Sequence, residues 1–137
     1  MTENLIIKKM KLKSGQRAAI INPPEGYLKE ISPLPAGVEM SDMLNGQFDW
    51  VQIFVKNKAE MDALFPSVVS ALKPDSLLWV SYPKGTSKIQ TDLTRDRGWD
   101  VVSQAKLKWI NLISVNETWS AFSLRPYKPG EQRQSFR

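Results

Sequence analysis

Cysteine and histidine are both absent from this sequence. Without cysteine there is no disulfide, no thiolate nucleophile and no cysteine-held zinc or iron–sulfur cluster, which fits a reducing compartment. Without histidine there is no Ser-His-Asp or Cys-His arrangement, no imidazole general base and no use of the commonest transition-metal ligand. Any catalysis would have to rest on Asp, Glu, Lys, Tyr or backbone groups. Long apolar runs are missing too: no segment approaches the ~20 apolar residues of a membrane span. The stretch from Met1 to Lys13 carries a few apolar residues (Leu5, Ile6, Ile7), and its lysines follow that patch instead of preceding it as in a signal peptide. The expected location is the cytoplasm, with no membrane contact.

The 137 residues fall in the usual range of a single domain. Folding such a chain buries roughly 65–70% of the extended surface, enough for a core without staples. The net charge of +5 invites a nucleic-acid reading, so its location matters. Lys8, Lys9, Lys11, Lys13 and Arg17 face only Glu3 at the N-terminal end, and Arg125, Lys128, Arg133 and Arg137 face only Glu131 at the other. The body between is slightly acidic. Basic ends without interleaved aromatics read as solvated termini more readily than as a nucleic-acid footprint.

Arg17-Ala18-Ala19-Ile20-Ile21 is a short continuous apolar run between Ser14-Gly15 and Asn22-Pro23-Pro24, as expected of a strand buried on both faces. Glu25 to Ile31 has room for at most two helical turns, and Val38-Glu39-Met40 for a short strand. Phe48 to Val55 is dense in β-branched and aromatic residues and is the strongest strand of the chain. Asn57 and Glu60 then have the spacing of a helix N-cap and its reciprocal acid. Met61, Leu64, Phe65, Val68, Val69 and Leu72 form one core-facing stripe, and Pro66 predicts a kink or two short helices. Lys73 to Ser76 reads as a turn and Leu77 to Tyr82 as a second buried strand. A helix is expected from Thr91 or Asp92 to about Lys106, across Gly98. Trp109–Val115 and Trp119–Leu124 alternate like half-buried strands, and their short link predicts an antiparallel hairpin. Residues 127–137 read as a disordered basic tail after a single domain over 1–126. The five tryptophans are expected in the core.

Strand and helix alternate through most of this order, which predicts an α/β three-layer sandwich around a mostly parallel sheet with a C-terminal antiparallel hairpin. Phe48-Asp49-Trp50-Val51, with Leu72-Lys73-Pro74-Asp75-Ser76 leading into Leu77-Leu78-Trp79-Val80, resembles the fourth and fifth strands of class I S-adenosylmethionine-dependent methyltransferases. Ser14-Gly15-Gln16-Arg17, Asn22-Pro23-Pro24-Glu25-Gly26, Trp79 to Lys84, Thr91 to Asp96 and Thr118 to Ala121 resemble a family of small bacterial proteins of unknown function, over about residues 10–126. The resemblance implies a truncated methyltransferase-like (Rossmann-like) fold.

Such a fold uses a glycine-rich loop after its first strand, where backbone amides approach the cofactor. Here Asn22-Pro23-Pro24-Glu25-Gly26 fills that place. Two prolines delete two amide donors, so ordinary cofactor binding is expected to be lost and no cofactor is assigned.

Ligands of open α/β sheets bind outside the carboxyl ends of the strands, and two loops are expected to converge there. One brings Asn22, Glu25, Gly26 and Tyr27. The other brings Lys84, Thr86 and Ser87, running on to Thr91, Asp92 and Arg95; from the reversed strand, Trp119 and Ser120 are the candidates to join them. Lys84-Gly85-Thr86-Ser87 offers an ammonium and two hydroxyls for a phosphate or carboxylate, although its lysine precedes the glycine, unlike a P-loop. The plainer account is a capped loop, with Ser87 and Gln90 at capping-box spacing. Asp92 and Asp96 lie four apart and suit a helix first turn better than a metal. The leading reading is a non-catalytic domain that binds a small anionic ligand or regulates through one, as a monomer or weak dimer. The alternatives are a methyltransferase-class enzyme with a remodelled cofactor site and an accessory nucleic-acid binder.

Overall fold

A computed structural model describes residues 4–89, 91–95, 97–105 and 107–131. The strands are β1 (Arg17–Ile21), β2 (Glu39–Ser41), β3 (Phe48–Phe54), β4 (Leu72–Pro83), β5 (Leu107–Ser114) and β6 (Trp119–Pro126); the helices are α1 (Leu5–Lys9), α2 (Tyr27–Glu30), α3 (Lys58–Ser70) and α4 (Asp100–Gln104). The strands form one sheet in the order β2-β1-β3-β4-β6-β5. β1 to β4 pair in parallel, and β6 runs antiparallel to both β4 and β5, so β6 alone is reversed. The fold is the expected α/β sheet with an antiparallel C-terminal hairpin.

The period-two alternation of the strands builds two core layers. Ala19 and Ile21 of β1, Val51 and Ile53 of β3, and Leu78 and Val80 of β4 face Met61, Phe65 and Val68 of α3 and Val102 of α4. Ala18, Ile20, Trp50, Phe54 and Trp79 face the opposite way, onto Ile7, Met10, Leu12, Tyr27 and Ile31. Trp50, Trp79, Trp99 and Trp119 are all buried, as expected of core aromatics, and Trp109 is half-buried.

Five expectations change. Residues 4–13 do not trail in solvent: the side chain of Asn4 caps α1 by accepting from the Ile6 and Ile7 amides, and Ile7, Met10 and Leu12 become core. α3 is a single helix through Pro66. Pro66 and Asp62, whose carbonyl loses its helical donor, both lie on the exposed face, where water can satisfy that carbonyl. The turn at Lys73–Ser76 sits inside β4 as an irregularity: pairing passes from Phe48↔Leu72 to Trp50↔Leu77, and Ser76 Oγ accepts from the Lys73 amide and donates to the Phe48 carbonyl. The helix expected from 91 onward shrinks to α4. Gly98 takes φ +95°, Thr94 and Arg97 bridge each other, and the Trp99 indole donates to the Thr94 carbonyl, so a tight turn replaces the first half of that helix. The segment from 127 begins as a turn tied to the sheet, with Glu131 accepting from Arg125 and Lys108; residues 132–137 lie outside the described residues.

A Cβ at Gly98 would stand 2.8 Å from Leu93 Cδ1 and 3.3 Å from the Asp92 carbonyl oxygen, on a backbone that L side chains rarely adopt. Gly98→Ala is expected to destabilise the protein by about 1–3 kcal/mol, read as a lower urea midpoint. The Arg125 guanidinium, then Lys108 and the Lys128 amide, hold the Glu131 carboxyl well below its ordinary value of 4.5, and Lys73 with the Arg17 amide lowers Asp49 from 3.8. A carboxyl lowered by folding contributes stability that is present above its unfolded pKa and lost as pH falls below it. Stability should therefore decline as pH drops through the ordinary carboxylate range, and Glu131→Gln should flatten part of that decline in acid-unfolding curves. Because Glu131 is at the surface, salt should diminish the difference.

Candidate functional site

The carboxyl ends of β1, β3 and β4 open onto one rim of the sheet, the position where open α/β sheets receive ligands. β1 ends at Ile21, and Asn22 turns the chain with φ +58°, a left-handed conformation that asparagine tolerates better than most residues. Pro23 and Pro24 follow, the Tyr27 amide donates to the Pro24 carbonyl, and Gly26 at φ +82° leads into the single turn of α2. This stretch offers few amides and no long helix N-terminus.

Asn22, Pro23, Pro24 and Glu25 form one wall of an open cavity of about 990 Å³. Phe54 at the end of β3, Lys56 just beyond it, Glu60, Ala63 and Leu64 of α3, Ile89, Thr118 and Trp119 line the rest. Its polar groups are already partly used. The side chain of Asn57 accepts from the Glu60 amide at 2.9 Å, the N-cap expected from the spacing, while Glu60 Oε1 accepts at 2.7 Å from the Lys56 amide, one residue before the N-cap amide that a reciprocal cap would use. The floor is aromatic: Trp119 meets Phe54 edge-on at 5.0 Å, and Phe54 meets Tyr27 likewise at 4.7 Å.

A second cavity of about 810 Å³ opens where β4 ends. Lys84, Thr86, Ser87, Thr91, Thr94, Arg95 and Ser120 supply its polar lining, with Tyr82, Pro83, Ile89 and Leu93 as the apolar part. The Ser87 amide donates to the Lys84 carbonyl, and Ser87 Oγ and Thr91 Oγ1 accept from the amides of Ile89 and Leu93, so the loop holds its own shape. Lys84 is fixed at two points: its amide donates to the Thr118 carbonyl at 2.8 Å and its ammonium to Ser114 Oγ at 2.5 Å. Among the described residues, two cations and five serine and threonine side chains line this cavity, together with Tyr82, and no carboxylate does.

The expected single site is thus two neighbouring cavities that share Ile89 among their described lining residues. Asn22, Glu25 and Trp119 belong to the first, and Lys84, Thr86, Ser87, Thr91, Arg95 and Ser120 to the second. Trp119 and Ser120 are consecutive on β6, and consecutive strand residues point to opposite faces, which separates them. Three candidates line neither cavity. Tyr27 is buried with its hydroxyl donating to Gln52 Oε1 at 2.9 Å, and burial pushes its pKa up, so it is a core residue. Gly26 serves the backbone turn. Asp92 accepts from the Lys58 amide at 2.9 Å, at the start of α3 instead of on a helix of its own. Gln90 and Asp96, and with them the Ser87–Gln90 cap and the Asp92–Asp96 pair, lie outside the described residues. No group of acidic side chains among the described residues is placed to hold a metal.

Several lining residues escape a reading of the sequence. Lys56 was legible in principle, because it follows the carboxyl end of β3, where the fold directs loops toward the site. Ile89 and Thr94 carry no sequence signal, since only the course of the 84–99 loop brings them to the rim.

No protein-family model matches the chain, and no curated protein does. Solved structures do match. A ribosomal protein L11 methylase from Lactobacillus delbrueckii subsp. bulgaricus superposes with a TM-score of 0.58 at 11% identity, over 90% of this chain and 76% of that one. A SAM-dependent methyltransferase from Aquifex aeolicus gives 0.54 at 14% identity, over 87% and 86%. A TehB-like SAM-dependent methyltransferase from Corynebacterium glutamicum gives 0.53 at 11% identity, over 89% and 85%. The chain therefore has the class I methyltransferase-like fold, and identities this low speak to the fold alone.

The left-handed turn at Asn22 sets the direction of the first cavity wall. Asn22→Gly is expected to leave stability within about 0.5 kcal/mol, whereas Asn22→Val, β-branched at positive φ, should cost about 1–2 kcal/mol in urea unfolding.

Proposed function

We propose that this chain is a small-ligand-binding domain on a methyltransferase-like frame, without an ordinary cofactor site, that holds an anionic ligand in the cavity beside Lys84. The carrying observation is the lining of that cavity by Lys84, Arg95 and hydroxyls, with no carboxylate among the described residues. Cations and hydroxyl donors together favour phosphate or carboxylate, and anions repelled by neighbouring acids would go elsewhere. The Asn22–Gly26 turn supports the second half of the reading, because prolines occupy positions from which amides would have to meet a cofactor. The role is binding or regulation instead of catalysis.

One observation favours a second reading, a methyltransferase-class enzyme with a remodelled site. The larger of the two cavities lies at the carboxyl end of β1, and the matched structures include a ribosomal protein L11 methylase and a SAM-dependent methyltransferase. The basic ends give less support to a nucleic-acid binder: Lys9 donates to the Ser114 carbonyl, Arg17 to the Asn45 and Gln47 carbonyls, and Arg125 to Glu131, so each is drawn into an internal contact.

Calorimetric titration separates the readings. S-adenosylmethionine is expected to give no saturable heat in the micromolar range, and a saturable signal would establish the enzyme reading instead. Phosphate-bearing metabolites should raise the melting temperature of the native chain. Lys84→Ala should weaken their binding by about tenfold or more, as loss of a charge-assisted hydrogen bond predicts. Unchanged binding in that variant would refute the assignment of the anion to this cavity.

A further inference from the structure

The anion-binding reading of the second cavity leaves open how much of a ligand lies beyond the anionic group. The cavity measures about 810 Å³, within the range that encloses whole organic ligands and far larger than a phosphate or carboxylate needs. Its lining is also divided. Lys84, Thr86 and Ser87 lie on the loop that follows β4, while the apolar lining comes from the half-buried Ile89 and from Tyr82, Pro83 and Leu93, which are buried. Tyr82 also lines the cavity; its ring stacks on Phe122 at 5.8 Å with an interplanar angle of 13° and meets Trp99 edge-on at 5.2 Å, in the core layer opposite the one against which Ile89 packs. The Lys84 ammonium donates to Ser114 Oγ and its amide to the Thr118 carbonyl, which tethers this side chain at its two ends. A free inorganic anion would leave that apolar lining in water, and an apolar body attached to the anion would cover it.

We propose that the cavity takes an organic anion, with a phosphate or carboxylate head at the Lys84–Ser87 loop and a ring or short apolar body against Pro83 and Ile89. This rests on the anion-binding reading above and adds the substrate class.

The test is calorimetry on the full chain with two matched pairs, phenyl phosphate against inorganic phosphate and benzoate against acetate. At least one organic member is expected to bind about tenfold or more tightly than its simple partner, and the pair that shows this identifies the head group. Ile89→Ala should shrink that ratio toward one. Equal affinities within both pairs would overturn the organic-ligand inference while leaving an anion site at Lys84. Binding by none of the four would overturn both. An undiminished ratio in a folded Ile89→Ala variant would also overturn the placement of the body on this lining.

Discussion

The Met10 carbonyl accepts a hydrogen bond from the Trp50 indole and another from the Trp79 indole, each at 2.8 Å. Trp50 and Trp79 lie on neighbouring parallel strands, and Met10 closes the C-terminal end of α1, where carbonyls have no helical donor. One carbonyl with two lone pairs therefore satisfies two buried indoles that would each cost about 1–3 kcal/mol if left unpaired. The contact ties the N-terminal segment to the centre of the sheet across 40 and 69 residues of chain. Ile7 and Leu12 follow it into the core, and the face formed by Ala18, Ile20, Trp50 and Trp79 is covered. Without α1 that face would present two large aromatics to water.

A second buried polar connection sits in the same layer. Tyr27 donates to Gln52, and Gln52 Nε2 donates to Ser81 Oγ at 2.9 Å, so α2, β3 and β4 are joined through groups sealed from solvent. Every buried side-chain nitrogen and oxygen among the described residues has a partner. A network satisfied in this way specifies one arrangement, because a shift of α2 that parted Tyr27 from Gln52 would leave the buried Gln52 Oε1 without its donor. It also fixes the ground beneath the first cavity, since Phe54 packs between Tyr27 and Trp119. The rim of the sheet is therefore built on a packed base, and among the described residues what differs between its two cavities is charge. Glu25 and Glu60 against Lys56 line one, and Lys84 with Arg95 lines the other.

Much of this was legible in the residues. β1 and β3 follow from apolar runs bounded by turn signals, and the Asn57–Glu60 cap was visible as spacing because a cap is made by residues three apart. The misreadings share a cause. The run from Thr91 to Lys106 has helical spacing, yet Gly98 at positive φ and the Trp99–Thr94 bond pull the chain into a turn. Tyr27 looked like a polar group beside a loop, and its partner Gln52 lies 25 residues away on a strand that reads as uniformly apolar in purpose. α1 has too few residues to announce itself and exists because the sheet offers it a face.

By itself the sequence determined the α/β class, the strand and helix order from β1 onward, the loss of a glycine loop after β1 and the exclusion of histidine and cysteine chemistry. These depend on local period, turn residues and composition, which contain no distance between remote parts of the chain. Tertiary structure alone decided that the polar residues of the two rim loops line different cavities, with Ile89 shared by both. β6 enters between β4 and β5, and its first two residues, Trp119 and Ser120, turn their side chains to opposite faces. No local pattern specifies which strand a reversed segment will pair with, so the division of charge along the rim arises only when the sheet is assembled.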